Sequence, residues 1–316
     1  MQKKKDMFTT MITPYTAEGK IDYETTEKYV DWYFHNGLTG IFAICQSSEI
    51  FFLTLEERVA LNRAVYTRAK ALEKQYGRPF TVVSSGHVSD SPEEQIKELN
   101  AVWESGTDAL ILITNRLAEE NESDEVWIAN LEKILTALPS DVKLGLYECP
   151  YPYKRLVTPE ILTYCLGTGK FYYMKDTCCD AALIAERCSL LRGSDFKLLN
   201  ANCQTLLASM KSGGDGYCGI MCNFHPRLYA WLGENFEKDE EKAALVQSVI
   251  GTFDFTEVGL PYPLTAKYHM GLCKIPTENI ARNRKSDAMT DYARDCMRQM
   301  KLATDALEAY LSKSPL

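Results

Sequence analysis

Histidine is scarce in this sequence: there are four among 316 residues, and His35, His87, His225 and His269 are scattered singly. No set of His, Asp and Glu gathers with ligand spacing, so neither a resident metal nor a metal-dependent hydrolase is expected. Positive charge is also in deficit, with 35 Lys and Arg against 43 Asp and Glu and a net charge of −8. Such a chain has no basic stripe with which to release counterions from a phosphate backbone, which argues against a nucleic-acid partner. No apolar run approaches the roughly 18 residues of a membrane-spanning helix. No apolar segment follows the Lys3-Lys4-Lys5 start as a secretory leader would require. The expectation is a cytoplasmic chain without membrane association, whose lysine-rich start is a solvated end. A phosphate-binding G-x-G-x-x-G is absent after the first strand-like run, which weighs against an open dinucleotide-binding sheet.

Cysteine is plentiful, at eleven residues, but paired C-x-x-C spacing is missing. Cys178-Cys179 are adjacent, and Cys218 and Cys222 stand four apart with no complete ligand set around them. They read as small thiols in a reducing compartment rather than as zinc ligands or staples. With 46% hydrophobic and 25% charged residues, the composition is that of a soluble globular protein.

Short β-rich runs recur at Met7–Ile12, Thr39–Ile44, Phe80–Ser84, Asp108–Ile113, Lys143–Tyr147, Phe171–Lys175, Phe196–Asn200 and Gly216–Ile220, with helix-periodic segments between them. Explicit start signals mark several helices. Thr54-Leu55-Glu56-Glu57 is a capping box, and Ser91-Pro92 and Thr158-Pro159 place a cap before a first-turn proline. Stops recur too. Gly37, Gly106 and Gly213 each lie a few residues before a strand, as left-handed helix ends do. One strand–helix unit used eight times predicts a closed (β/α)8 TIM barrel. Beyond it, Glu237–Phe253, Leu264–Gly271 and Ser286–Leu311 read as helices in excess of the ring. The predicted division is a barrel over residues 1–232 and a C-terminal helical extension over 233–316.

In such a barrel, chemistry sits at the C-terminal strand ends. Lys175 ends the sixth run and Tyr147 the fifth. A lysine at the end of a buried strand is disfavoured in its charged form, which makes its amine a nucleophile towards carbonyls. A phenol ending the adjacent strand can relay protons to it. Other polar strand ends are Gln46-Ser47-Ser48-Glu49, His87, Asn115-Arg116, Asn200, Asn202 and Asn223.

These residues carry a resemblance to the Schiff-base lyases typified by dihydrodipicolinate synthase and N-acetylneuraminate lyase. Thr13-Pro14-Tyr15 resembles the opening T-P-F, and Ser48-Glu49 with Leu53–Arg58 resembles G-[ST]-T-G-E…L-T-x-E-E-R. Tyr147-Glu148-Cys149-Pro150 resembles Y-N-x-P, and Met174–Thr177 resembles the strand bearing the imine-forming lysine. Gly216–Asn223 and Pro261–Lys267 fit the late landmarks of that pattern, in order. The resemblance implies a barrel with a helical extension, in a family where tetramers are usual, so a homotetramer or dimer is expected. It implies an imine between Lys175 and C2 of pyruvate or another 2-keto acid, with Tyr147 as proton shuttle and no metal or other cofactor. Ser47 and Ser48 would hold the substrate carboxylate, Gln46 and Cys218 would contact substrate, and Glu49 would brace the loop.

The departures point to the second substrate. Gln46 replaces a hydroxyl residue, and Ser48 replaces a glycine suited to positive φ. Asn115-Arg116-Leu117 stands where the synthase carries a second tyrosine, and Pro152 stands where it carries an arginine, with Lys154 and Arg155 as candidate replacements. Asn202 and Cys203 align with the acidic pair of sialate lyases. Phe51, Phe52, Tyr151, Tyr153 and Phe224 are read as a neutral aromatic rim, which favours a less charged aldehyde. Three functions stay open: a 2-keto acid aldolase or lyase, a synthase or dehydratase sharing the imine, and a non-catalytic 2-keto acid-binding protein.

Overall fold

The protein, described by a computed structural model over residues 4–313, contains eight strands that close into a parallel barrel in chain order. The repeat runs β1 (Asp6–Thr10), α1 (Tyr23–His35), β2 (Gly40–Phe42), α2 (Leu55–Tyr76), β3 (Thr81–Ser84), α3 (Pro92–Glu104), β4 (Ala109–Ile113) and α4 (Asp124–Ala137). It continues through β5 (Leu144–Tyr147), α5 (Pro159–Gly167), β6 (Phe171–Asp176), α6 (Ala181–Leu190), β7 (Lys197–Asn200), α7 (Leu206–Lys211), β8 (Gly216–Gly219) and α8 (Pro226–Asn235). Three further helices follow: α9 (Glu240–Glu257), α10 (Leu264–Leu272) and α11 (Asp291–Lys313). Among the described residues no helix is long and apolar enough to cross a membrane.

Local chemistry sets these boundaries. Thr54 Oγ accepts from Glu57 N at 3.2 Å while Glu57 Oε2 accepts from Thr54 N at 3.0 Å, closing the capping box of α2. Ser91 and Thr158 cap α3 and α5 ahead of their first-turn prolines. Gly37, Gly106 and Gly213 take φ of 88°, 98° and 107°, ending α1, α3 and α7 as their spacing predicts. Two helix starts differ from the sequence reading. Asp239 accepts from Lys242 N at 3.0 Å and delays α9 to Glu240. A short 3₁₀ turn at Ser286–Ala288 precedes α11. The lysine-rich start is also less free than expected. Lys4 pairs with Glu234 and Lys5 donates to Gly214 O at 2.7 Å, while Lys3 lies outside the described residues.

Inside the barrel, Phe8, Phe42, Val83, Ile111, Ile113 and Leu199 fill the axis below the mouth. Outside it are two apolar layers. One packs α3 to α6 against β4 to β7. The other runs from Met7 and Tyr29 through Tyr229 and Val246 to Met297 and Leu311, so the C-terminal helices bury their apolar faces on the barrel. Of the eleven cysteines, Cys45, Cys149, Cys165, Cys188, Cys203, Cys218 and Cys222 are buried free thiols; Cys178, Cys273 and Cys296 are half-buried and Cys179 is exposed.

Candidate active site

Side chains alternate across a strand, so a register partner in a parallel pair shares its face. Tyr147 at the end of β5 pairs with Lys175 on β6, and both project into the barrel. The Lys175 amine lies 4.1 Å from the centroid of the Tyr147 ring and 5.9 Å from that of Phe42. Tyr147 is 2% exposed and Lys175 9%. Asp176, the next residue, gives its charge to Arg187 of α6, and among the described residues no carboxylate pairs with Lys175. Burial pushes the Tyr147 phenol well above its ordinary range, so it is a proton donor at neutral pH. Its hydroxyl lies 3.4 Å from Gln46 Oε1, which also faces the Cys149 thiol at 3.8 Å.

The turn after β2 forms the facing wall. Gln46–Ser48 is one 3₁₀ turn. The amides of Gln46 and Ser47, at its start, have no protein acceptor among the described residues. Ser47 Oγ donates to Thr10 Oγ1 at 3.0 Å. Ser48 is turned inward: its hydroxyl lies 2.6 Å from Ala43 O and 2.8 Å from Met11 O and accepts from Cys45 N at 3.1 Å. That hydroxyl builds the turn, and its N–H is bonded to Cys45 O at 3.0 Å. The left-handed residue is Glu49, at φ 63°, not Ser48. Glu49 braces the loop as the sequence suggested. Its carboxylate takes Lys267 Nζ of α10 at 2.8 Å, Arg282 N at 2.5 Å and Asn283 N at 3.0 Å, with Glu49 and Lys267 both fully buried. Burial pulls the Lys267 pKa down, against the opposing pull of Glu49.

Cys218 on β8 belongs to the interior cluster with Tyr147, Cys45 and Cys149. Burial pushes its thiol up to about 12, against the opposing field of Lys175. The buried thiols of Cys45, Cys149 and Cys218 thus lie around Tyr147 and Lys175, a cluster of which the sequence suggested only Cys218.

Other candidates lie elsewhere. His87 Nε2 accepts from Ile113 N at 2.6 Å and its Nδ1 faces Gln95 Oε1 at 2.9 Å; burial holds its pKa at about 4, so it is a neutral structural ring. Arg116 is tied to Asp90 at 2.7 Å. Lys154 donates to Thr177 O at 2.8 Å, and Arg155 to Asp124 at 2.9 Å. Asn202 caps its own loop through Asn200 Oδ1 at 2.8 Å. The rim is smaller than expected. Phe51 and Tyr151 stack edge-on at 4.9 Å, and Phe52 is exposed. Tyr153 instead bonds Asn115 O at 2.9 Å, and Phe224 is buried against His269 at 5.3 Å. A polar cavity of about 280 Å³ between Asp90, Arg116, Glu122 and Asn130 is lined by neither Lys175 nor Tyr147.

Comparison with known proteins gives the chain a family and a fold. Residues 3–302 match the model of the dihydrodipicolinate synthetase family. The 4-hydroxy-tetrahydrodipicolinate synthase of Alkaliphilus oremlandii is 24% identical over 296 residues, which are 88% of this chain and 95% of the relative. In fold, the chain matches dihydrodipicolinate synthase from Bacillus anthracis with a TM-score of 0.82 at 20% identity, over 96% of this chain and 99% of that one. It matches YagE, a prophage protein of the same family from E. coli K12 solved with pyruvate, with a TM-score of 0.81 at 20% identity, over 96% and 98% of the two chains. The chain therefore belongs to the dihydrodipicolinate synthetase family and is a lyase.

Proposed function

We propose that this lyase is a class I aldolase that makes or breaks a carbon–carbon bond between pyruvate, or another 2-keto acid, and an aldehyde. The reaction runs through an imine on Lys175 and needs no resident metal or other cofactor. The observation that carries the reading is the facing pair, an unpaired buried amine 4.1 Å from the ring of a neutral phenol. The Lys175 amine adds to C2 of the keto acid, and water leaves. The protonated imine draws electrons from C3, which loses a proton and attacks the aldehyde as an enamine. Hydrolysis then returns the amine and the product. Tyr147 donates its proton to the departing C2 hydroxyl and takes it back on hydrolysis. The open amides of Gln46 and Ser47 receive the carboxylate, replacing solvent with fixed dipoles. That YagE was solved with pyruvate supports this choice of keto acid.

The second substrate is a neutral aldehyde. Pro152 stands in the arginine position of the synthase, and Arg116, Lys154 and Arg155 are all committed to protein acceptors. A second carboxylate at the rim would be desolvated without a partner, which is unfavourable. The curated relatives named as synthases support the alternative, a synthase or dehydratase using the same imine. Asn115-Arg116-Leu117, without the synthase's second tyrosine, argues against it. The protein acts as a homotetramer or dimer, and the exposed rings of Phe52 and Tyr151 offer an apolar face for a second copy.

Borohydride reduction in the presence of pyruvate tests the reading. The expected result is one pyruvate-derived adduct per chain, mapped by mass spectrometry to Lys175. No adduct, with activity surviving Lys175→Ala, would overturn it. With the adduct in hand, incubating pyruvate with neutral and acidic aldehydes separates aldolase from synthase by the product.

A further inference from the structure

The residues directly behind the catalytic pair form a buried ion cluster that the chemistry above does not use. Because strand side chains alternate, Glu148 after Tyr147 and Asp176 after Lys175 point out of the barrel towards the helices. Both are 0% exposed. Arg187 of α6, also buried, reaches both. Its Nη2 donates to Glu148 Oε1 at 2.7 Å, and its Nη1 to Asp176 Oδ2. The cluster is tied further to the backbone. Glu148 accepts from Val157 N at 2.7 Å and from Thr177 N at 2.8 Å, and Thr177 Oγ1 donates to Glu148 O at 2.8 Å. Asp176 Oδ1 accepts from Cys178 N at 2.9 Å.

Two details argue that this clamp does more than fill space. The β5–β6 ladder is long at its C-terminal end, where Glu148 N reaches Lys175 O at only 3.4 Å. The side-chain cluster takes over where the ladder weakens. Arg187 spends both Nη groups here, on the two carboxylates and on Val157 O at 2.6 Å, and leaves its own Nε without a partner. A buried 2:1 cluster of acids and guanidinium is a poor source of stability compared with apolar packing, so its retention calls for a positional role. Glu148 stands where the family pattern Y-N-x-P has asparagine.

We propose that Arg187 is a positioning residue: by bridging Glu148 and Asp176 it fixes the Tyr147 hydroxyl relative to the Lys175 amine. The inference rests on the imine reading. It concerns the residue that sets the geometry of the pair, not one that touches substrate.

A double-mutant cycle tests it, with turnover expressed per borohydride-trappable Lys175 so that misfolded protein does not count. Arg187→Lys keeps the charge but cannot bridge both acids. It should lower kcat by roughly 10–100-fold, as a displaced catalytic group does, while leaving KM for pyruvate nearly unchanged. The same substitution in a Tyr147→Phe background should cost less than about threefold, because the group it positions is gone. The charge-neutral variant Arg187→Met with Glu148→Gln and Asp176→Asn should fold yet keep the low kcat. Equal losses in both backgrounds, or wild-type turnover per trapped site in Arg187→Lys or the neutral variant, would overturn the proposal. If wild-type protein traps no pyruvate, the imine reading itself fails; that result is distinct from a failed cycle.

Discussion

The β5–β6 wall and the turn after β2 meet where the Tyr147 hydroxyl faces Gln46, yet each is held from a different direction. Behind Tyr147 and Lys175 the support is local: Arg187 arrives on α6, the helix that follows β6, and closes a cluster within the barrel repeat. Behind Gln46 and Ser47 the support comes from far along the chain: Glu49 is locked by Lys267 of α10 and by the amides of Arg282 and Asn283. Arg282 in turn forks onto Glu57 with two contacts of 2.7 Å. The wall assigned to bond chemistry is thus built from the barrel alone, and the wall assigned to carboxylate recognition depends on the C-terminal helices. Damage to the first should appear in kcat and damage to the second in KM.

The largest break in that division comes from Tyr147→Phe. Loss of the phenolic proton should lower kcat by roughly 10²–10⁴-fold while pyruvate still traps on Lys175. A matched rise in KM, seen in steady-state kinetics, would show that the walls do not divide the work. Next is Lys267→Met, which leaves the buried Glu49 charge unpaired. It should cost about 3–5 kcal/mol of stability in urea unfolding and raise KM for pyruvate more than it lowers kcat. Glu49→Gln in the same chain should restore part of the stability.

The pH dependence sharpens the comparison because its sign differs between the buried histidines and the clamp. Burial holds His225 and His269, on the C-terminal side, at about 3, and His87 at about 4. An unfolded chain takes up those protons near pH 6.5, so the stability linked to them is whole above that pH. It falls as pH drops, by about 1.4 kcal/mol per pH unit for each histidine, until the folded pKa is reached. In the clamp, burial raises Glu148, with Arg187 opposing. Its linked stability is present at low pH and is lost as pH rises through the raised value. His225→Phe should therefore flatten the acid slope by one histidine's share. It should cost little at neutral pH, since neither ring nitrogen has a partner. Urea midpoints between about pH 4 and pH 7 read both effects.

How much of this was legible in the sequence depends on the range of each interaction. Lys175 and Tyr147 could be placed because two-residue alternation and short strand ends are local facts. The closing glycines and the capping boxes are local too. The role of Ser48 was not legible. A serine in a glycine position reads as a strained turn or a ligand, whereas the fold turns its hydroxyl onto the backbone, accepting from Cys45 N within donating distance of Ala43 O and Met11 O, and moves the positive φ to Glu49. Arg187 lies 11 residues from Asp176 and 39 from Glu148, so only the docking of α6 decides that it meets both. A signal was nonetheless present: an acid directly after an inward-facing residue on each of two adjacent buried strands must face the helices, and two buried acids require a cation. Phe224 and Tyr153 were misplaced for the opposite reason. Aromatic type alone does not separate a rim from a core.

The division of labour is tested most directly by a crystal of the protein soaked in pyruvate. The imine assignment predicts continuous density from Lys175 Nζ to C2 of the ligand, with the carboxylate against the amides of Gln46 and Ser47. Pyruvate bound elsewhere, or in the mouth with no bond to Lys175, would contradict it.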